Sequence, residues 1–317
     1  MKRKPGVSMT SARTNTENGN TLVIVTGPTG IGKTELCLEI ARKLGAEIVS
    51  ADARQFYREL KIGTAVPTPA QLNEVKHHFI GHLSIHDYYN VSIFEQQVIE
   101  LINSLFAKNP YVLLCGGSGL YIDAVCKGLD DLPTVCPETR AWVEKVYRTQ
   151  GLEKLRLWLK KVDPIYYTQV DLANPNRIIR AIEVFQSTGI PMSQLRTSLP
   201  KERPFMIKTI ILERPRMELF ERINNRVDQM VADGLIEEAV SLFRWKNLNA
   251  LNTVGYQELF DWLSGKYSLP NALEKIKTNT RRYAKRQITW FKKYHDALRV
   301  NPDRIDAIME YIRGCSP

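Results

Sequence analysis

Short apolar runs alternate with amphipathic stretches along the first third of the chain. Residues 21–26 (TLVIVT) form an apolar run too short for a helix, and 34–45 (TELCLEIARKLG) continue with helical spacing closed by Gly45. The same alternation predicts a strand at 46–50 (AEIVS) and a helix over 92–109 with apolar positions 94, 98, 101, 102 and 105. A further buried strand follows at 111–115 (YVLLC) and breaks abruptly at GGSG. Between these elements, KIGTAVPTPAQ reads as loop, because Pro67 and Pro69 exclude regular structure. Strands without a polar face belong to parallel sheets covered by helices on both sides, so the pattern predicts an α/β domain.

The pattern changes after Gly128. From 133 to 200 only helical segments appear, at 137–150, 152–162 and 174–189, the last with Asn174 as N-cap, Pro175 in its first turn and Gly189 just beyond its end. FMIKTIILE restores a strand at 205–213, and helices follow at 215–234 (Pro215 in the first turn), 235–244, 255–265 and about 271–295. The expected organisation is a disordered polar tail over 1–20, an α/β core from 21–132 and 201–317 that includes the C-terminal helices, and an all-helical insertion at 133–200. After residue 295 only a short tail is expected.

Charge narrows the partner. Lys plus Arg number 44 against 34 Asp plus Glu, a formal net charge of +10. That surplus favours a polyanion such as nucleic acid without specifying a fold. Cys37, Cys115, Cys126, Cys136 and Cys315 contain no C-x-x-C pair and are odd in number, which reads as reduced thiols rather than a disulfide frame or zinc ribbon. The basic N-terminus has no apolar segment behind it, and no window approaches 18 apolar residues, so neither a secretory signal nor a membrane span is expected and the location is taken as cytoplasmic. Residues 1–20 read as disordered, with an RNA-touching arm as the other reading.

GPTGIGKT, comprising Gly27, Pro28, Thr29, Gly30, Ile31, Gly32, Lys33 and Thr34, fits G-x-x-x-x-G-K-[ST] between a strand and a helix. This is the context of a phosphate-binding loop, and it sharpens the fold class to a P-loop NTPase-like parallel sheet. Backbone N–H groups converge on an anion there, Lys33 reaches a terminal phosphate, and the Thr34 hydroxyl can sit on Mg²⁺. The motif by itself says ATP. An ATPase, however, needs an acid closing a later strand, and YVLLCGGSGLY offers Cys115 and glycines in that place. The glycines suggest close approach of a ligand backbone, with Ser118 as a nearby hydroxyl. The acid that does leave a strand is Asp52, for which two readings stay open: a base acting on a neutral nucleophile, or the N-cap of the next helix.

Arg222 and Arg226 lie four apart on one helical face, a repulsive spacing unless an anion sits between them or solvent separates them. Arg177 and Arg180 share a face of the inserted helix. The densest cluster is KIKTNTRRYAKRQITWFKK, with eight Lys/Arg between 275 and 293, no acid, and an apolar stripe opposite; it points to a phosphate backbone. His77, His78, His82 and His86 invite a zinc reading, but they lie in strand- or loop-like sequence without a cysteine partner, so local hydrogen bonding is the reading kept.

Together, GPTGIGKT, SADARQFY, GTAVPTP, HHFIGHL, LLCGGSGLY, NPNRIIRAIEV, RVDQMVADGLIEEA, TVGYQE and RRYAKRQITWFKK closely resemble the bacterial tRNA dimethylallyltransferases, in unbroken order from about residue 21 to 295. The resemblance implies transfer of a dimethylallyl group from dimethylallyl diphosphate to N6 of the adenine just 3′ of the anticodon. It further implies a P-loop fold whose helical insertion grips the anticodon stem-loop, with no redox cofactor and with a monomeric chain. On it, Gly27 to Thr34 hold the diphosphate of the isoprenoid, Asp52 is the base, and Arg226 contacts the diphosphate. Asp52, Ala53, Arg54, Gln55, Ser118, Arg140, Asn176, Arg177, Arg180, Gly255, Tyr256, Arg281, Arg282, Lys285 and Arg286 fall on tRNA-contacting positions. Ala53 replaces the usual Ser, and Ser118 stands where Thr is common. Two competing readings are an ATP-dependent small-molecule or nucleotide kinase and a non-catalytic RNA-binding protein. The first leaves the basic helix without a purpose, and the second leaves Lys33, Thr34 and Asp52 without one.

Overall fold

A computed structural model describes residues 19–197 and 199–314. The tail predicted over 1–20 lies outside the described residues except for Gly19 and Asn20, and so does Cys315. The chain forms two compact units, one from residues up to Cys126 together with those from Arg203 onward, the other from Lys127–Glu202.

The first unit is built on six strands: β1 (Thr21–Thr26), β2 (Ile48–Ser50), β3 (His77–His78), β4 (Tyr111–Gly116), β5 (Met206–Leu212) and β6 (Leu298–Val300). All pair in parallel, in the order β3-β2-β4-β1-β5-β6. β1 is central, with Ile24 opposite Leu114 on one side and Thr209 on the other. Its side chains alternate between two cores. Val23 and Val25 face α1 (Lys33–Leu44), while Leu22 and Ile24 face α3 (Val91–Phe106). Burial on both faces explains why the run carries no polar alternation. The chain leaves β1 toward β2 on one side and later crosses to β5 on the other, so a crevice opens at the carboxyl ends of β1 and β4, where ligands of such sheets bind.

The remaining helices of this unit are α2 (Pro69–Glu74), α4 (Gly119–Lys127, whose last residue opens the second unit), α9 (Arg216–Ala232), α10 (Leu235–Leu242), α11 (Tyr256–Leu263), α12 (Leu269–Phe291) and α13 (Ile305–Arg313). The second unit holds α5 (Pro137–Val162), α6 (Pro164–Gln169), α7 (Pro175–Thr188) and α8 (Met192–Leu195) around Val143, Leu155, Leu159, Ile178 and Ile182. α5 is interrupted at Gly151, whose φ of 77° lies outside the helical region. Asn174 caps α7 by accepting from the Arg177 N–H at 3.4 Å, and Gly189 closes it in the left-handed conformation. No helix among the described residues is long and apolar enough to cross a membrane.

Three local expectations fail, each for a physical reason. Pro69 does not exclude structure; it begins α2, because its missing N–H is one of those a first helical turn leaves unpaired, and Thr68 and Gln71 complete a capping box there. Pro215 is the residue before α9 rather than part of its first turn. The stretch after 295 is no mere tail: β6 adds to β5, and α13 buries Ile308, Met309 and Ile312 against the α1 side of the sheet. Each such side chain contributes about 1.5–3 kcal/mol when fully buried. A three-residue strand carries too little pattern to be seen in sequence.

Candidate active site

The site begins where β1 stops. Thr26 donates its hydroxyl to the Gly116 carbonyl at 2.8 Å, tying the ends of β1 and β4 together. The loop then turns into α1 through Gly32 at φ 103°, a left-handed conformation that a side chain resists. The loop carbonyls are taken by cations: Lys33 Nζ donates to Gly27 (3.1 Å) and Pro28 (2.9 Å), Arg222 to Gly30 (3.0 Å), and Arg214 to Ile31 (3.2 Å). The N–H groups of Gly30 to Thr34 have no partner among the described residues. Such N–H groups ahead of a helix form an anion cradle.

Two half-buried cations, Lys33 and Arg226, belong to this region. Burial pushes the Lys33 ammonium below its ordinary value, with nearby Arg226 adding to the effect and Cys115 and Asp52 opposing it. Burial likewise lowers the Arg226 guanidinium, against the pull of Asp52 and Glu35. Arg226 makes no hydrogen bond or ion pair among the described residues. Both side chains are half-buried, so each charge is partly withdrawn from water, and a bound anion would relieve that cost. In the place of an ATPase acid stands Cys115, whose thiol a hydrogen bond with Cys37 holds below its ordinary value.

Asp52 leaves β2 on the opposite wall. It is not a helix cap; its Oδ1 accepts from the Arg54 N–H at 3.0 Å within a tight turn. Ser118 Oγ accepts from the Ala53 N–H at 3.0 Å; the nearby Tyr283 hydroxyl is pushed up to about 12 by burial, seconded by Asp52. Thr29, Asp52, Ser118, Arg226, Tyr283 and Trp290 line one cavity of about 620 Å³, one stretch of whose wall is apolar, with Ile223, Val227, Met230 and Ile276. Gly117, Ala53, Arg54, Gly255 and Arg286 also reach it. Of the loop at 27–34 only Thr29 lines it; the rest of the loop, Lys33 and Thr34 included, lies outside its wall, as do Arg281, Arg282 and Lys285.

The glycines after β4 correct one expectation. Their first task is to make room for the protein's own chain, although Gly117 and Gly119 also line the cavity. A Cβ on Gly116 would lie 2.3 Å from the Ala51 carbonyl, one on Gly117 2.3 Å from Gln287 Nε2, and one on Gly119 2.3 Å from the Trp290 indole. Tyr256 is a second correction. It is 0% exposed, its hydroxyl donates to Glu238 at 2.5 Å and its ring fills the space over Gly63, so it has no surface to offer RNA. The guanidinium of Arg54 is held by the carbonyls of Asn249, Ala250 and Asn252, and the Gln55 amide holds those of Thr64 and Ala65. Both fix loops around the cavity.

Of the eight basic residues at 275–293, on α12 and just beyond its end, six make no ion pair among the described residues; Lys277 is neutralised by Asp228 and Glu274, and Lys293 by Asp123. Arg281 donates to Asn224 and Arg282 to Asn279, while Lys285 lies over the Phe220 ring. In the helical unit, Arg140 and Arg180 flank Glu183 at 3.8 and 3.6 Å, and Asn176 and Arg177 are exposed. The histidines bind no cluster: His77 bonds the Val75 carbonyl, His78 bonds Glu47 at 2.5 Å, and His82 packs on Phe56; no group of three potential metal-holding side chains exists among the described residues.

Sequence reasoning missed three residues that build this site. Gln287 bridges the phosphate loop and the turn after β4; Tyr283 lines the cavity with Ser118; and Glu238 accepts from the N–H groups of Lys61, Ile62 and Gly63 as well as from Tyr256. Gln287 and Tyr283 were hidden in a segment whose charge drew the attention. Their apolar-side spacing on α12 was the available signal.

The parallel sheet with its glycine-rich turn into α1 makes this a P-loop NTPase-like α/β protein, and an anion cradle close to a cavity that holds a carboxylate suits group transfer from a phosphorylated donor. Sequence comparison then gives the family. Residues 55–294 match the family model for IPP transferase. The chain is 49% identical over 293 residues to tRNA dimethylallyltransferase 2 of Parabacteroides distasonis, covering 92% of this chain and 98% of that one. It is equally 49% identical over 293 residues to tRNA dimethylallyltransferase 1 of Bacteroides thetaiotaomicron, covering 92% and 95%. Among solved structures, the full-length tRNA isopentenylpyrophosphate transferase of Bacillus halodurans superposes with a TM-score of 0.69 at 32% identity, over 93% of this chain and 96% of that one. A eukaryotic dimethylallyltransferase acting on tRNA has a TM-score of 0.78 at 22% identity, over 94% and 80%, a likeness of fold. The chain belongs to the IPP transferase family.

Proposed function

We propose that the protein transfers a dimethylallyl group from dimethylallyl diphosphate to N6 of the adenine just 3′ of a tRNA anticodon and releases diphosphate. The observation that carries this reading is the meeting of Asp52 with Arg226, Thr29 and Ser118 in one cavity, with Lys33 of the loop close enough to feel both Asp52 and Arg226. The adenine amino group is a weak nucleophile, because its lone pair is delocalised into the ring. The Asp52 carboxylate takes the N6 proton while nitrogen attacks the allylic carbon and the carbon–oxygen bond to diphosphate breaks. The loop N–H groups, Lys33 and Arg226 stabilise the charge that accumulates on the departing diphosphate. The apolar wall suits a five-carbon chain and excludes water from it.

The Thr34 hydroxyl, at the start of α1 and without a hydrogen bond among the described residues, fits a Mg²⁺ held chiefly by phosphate oxygens, which would supply further charge neutralisation. The target base leaves its stack to enter the cavity, as bases do in base-modifying enzymes. The unpaired cations of α12, with Arg177 and Asn176 of the helical unit, suit the phosphates of the anticodon stem-loop. The chain is taken to act as a cytoplasmic monomer. Cys115 in place of a metal-holding acid speaks against the kinase reading.

The test incubates the protein with isotope-labelled dimethylallyl diphosphate and unmodified tRNA in the absence of ATP. Label entering tRNA is expected. No label in tRNA, or label only when ATP is added, would contradict the reading.

A further inference from the structure

Gln287 faces away from its basic neighbours on α12. Its residue is 6% exposed, and both ends of its amide are used by main chain: Oε1 accepts from the Thr29 N–H at 2.9 Å, and Nε2 donates to the Gly117 carbonyl at 2.9 Å. Thr29 belongs to the phosphate loop after β1, and Gly117 immediately precedes Ser118 after β4. Gly117 has no room for a Cβ, because Gln287 Nε2 would lie 2.3 Å from it. One buried side chain thus sets the spacing between the loop that cradles the anion and the turn that carries the Ser118 hydroxyl. On the outer side of the same helical turns, Lys285, Arg286, Thr289, Trp290 and Lys293 line an open basic groove, and Arg286 and Trp290 also line the cavity.

The helix that offers charge to a polyanion is therefore pinned through Gln287 to the loop that holds the leaving group. We propose that Gln287 is a positioning residue coupling the two substrates: RNA docking on α12 sets the geometry of the phosphate loop, and an occupied loop sets the position of α12. A rigid, close-packed contact transmits such a shift because neither bond can lengthen without orphaning a buried amide or carbonyl. Coupling of this kind is reciprocal, so each substrate tightens the other by the same factor. The inference rests on the prenyl-transfer reading for its biological sense, but the coupling itself is measurable without turnover.

The experiment uses the full chain and inorganic pyrophosphate as the probe, titrated calorimetrically with and without saturating unmodified tRNA. The wild type is expected to bind pyrophosphate about tenfold more tightly when tRNA is present, within the usual range of coupling. Gln287→Ala is expected to lose most of that factor and to raise KM for dimethylallyl diphosphate more than it lowers kcat, while tRNA retention on filters stays within about twofold. Gln287→Glu, of equal size, guards against a cavity: it keeps an acceptor for Thr29 but sets a carboxylate oxygen against the Gly117 carbonyl, so it too should lose coupling, with tRNA retention on filters showing that the chain is still folded. Equal enhancement by tRNA in wild type and Gln287→Glu, or none in the wild type, would overturn the proposal. Absence of label transfer by a wild type that still shows coupling would instead count against the functional reading.

Discussion

Arg226 of the α/β core and Arg180 of the helical unit are both helical arginines, yet they stand in opposite circumstances. Arg180 is tied down: it donates to the Pro133 carbonyl at 3.1 Å and, with Arg140, flanks Glu183, which is only 5% exposed. Arg226 is half-buried as well, but it has no hydrogen bond or ion pair among the described residues; only the fields of Asp52 and Glu35 oppose the cost of its burial. A buried charge that is paired belongs to the scaffold, and one that is unpaired and faces a cavity is held for something that arrives later. The same division separates the carboxylates. Glu238 and Glu183 are spent on the protein, whereas Asp52 makes a single local bond and turns its charge to the cavity.

That contrast can be broken by substitution, because cavity-facing groups should cost rate and scaffold groups should cost stability. The largest effect is expected for Asp52→Asn, which keeps an oxygen for the Arg54 N–H but cannot accept a proton. Its kcat for transfer should fall by about a hundredfold to ten-thousandfold, with the unfolding midpoint and tRNA retention little changed. Turnover near wild type would remove Asp52 from the role of base. Glu238→Ala comes next and should act the other way. It orphans three backbone N–H groups of the loop at 61–63 and the Tyr256 hydroxyl, so urea titration should show a loss of about 1–3 kcal/mol. If stability were untouched and only KM moved, Glu238 would belong with the cavity.

The smallest effect concerns Glu183 and reads as a slope. Burial raises its carboxyl above the ordinary 4.5 despite Arg140 and Arg180. A raised carboxyl disfavours its charged form in the folded state, so its own contribution to stability is full at and below 4.5 and is lost as pH rises through the raised folded value. Glu183→Gln removes that titration. The wild type should therefore gain stability relative to the variant as pH falls from neutrality toward 4.5, as followed by urea unfolding at two pH values. A constant difference would mean that the two arginines hold the carboxyl at its ordinary value.

How much of this could be read in the chain depends on what kind of pattern each part leaves. β1, its glycine turn and α1 were legible because an apolar run, a motif and a helical stripe all agree over 21–45. Asp52 was legible as the acid at the end of β2, and Arg226 through its spacing from Arg222. The glycines of 116–119 were legible as crowding but not as to whom they make room for, since that depends on Ala51, Gln287 and Trp290 arriving from elsewhere in the chain. Tyr256 sits in a stretch that resembles an RNA contact, and only the fold shows that Glu238 and Gly63 enclose it. Gln287 was invisible for the opposite reason: a polar residue among cations looks like more surface, and its burial is a fact of packing rather than of composition.

The central claim is that the unanswered positive charge of Arg226 waits for the diphosphate leaving group. Its most direct test is the single-turnover rate of dimethylallyl transfer by Arg226→Ala with both substrates saturating. Loss of one preorganised contact to a developing anion should slow that step by about a hundredfold to a thousandfold while tRNA stays bound. A single-turnover rate within about threefold of wild type would mean that Arg226 does not stabilise the departing group, and the account of the site would be wrong.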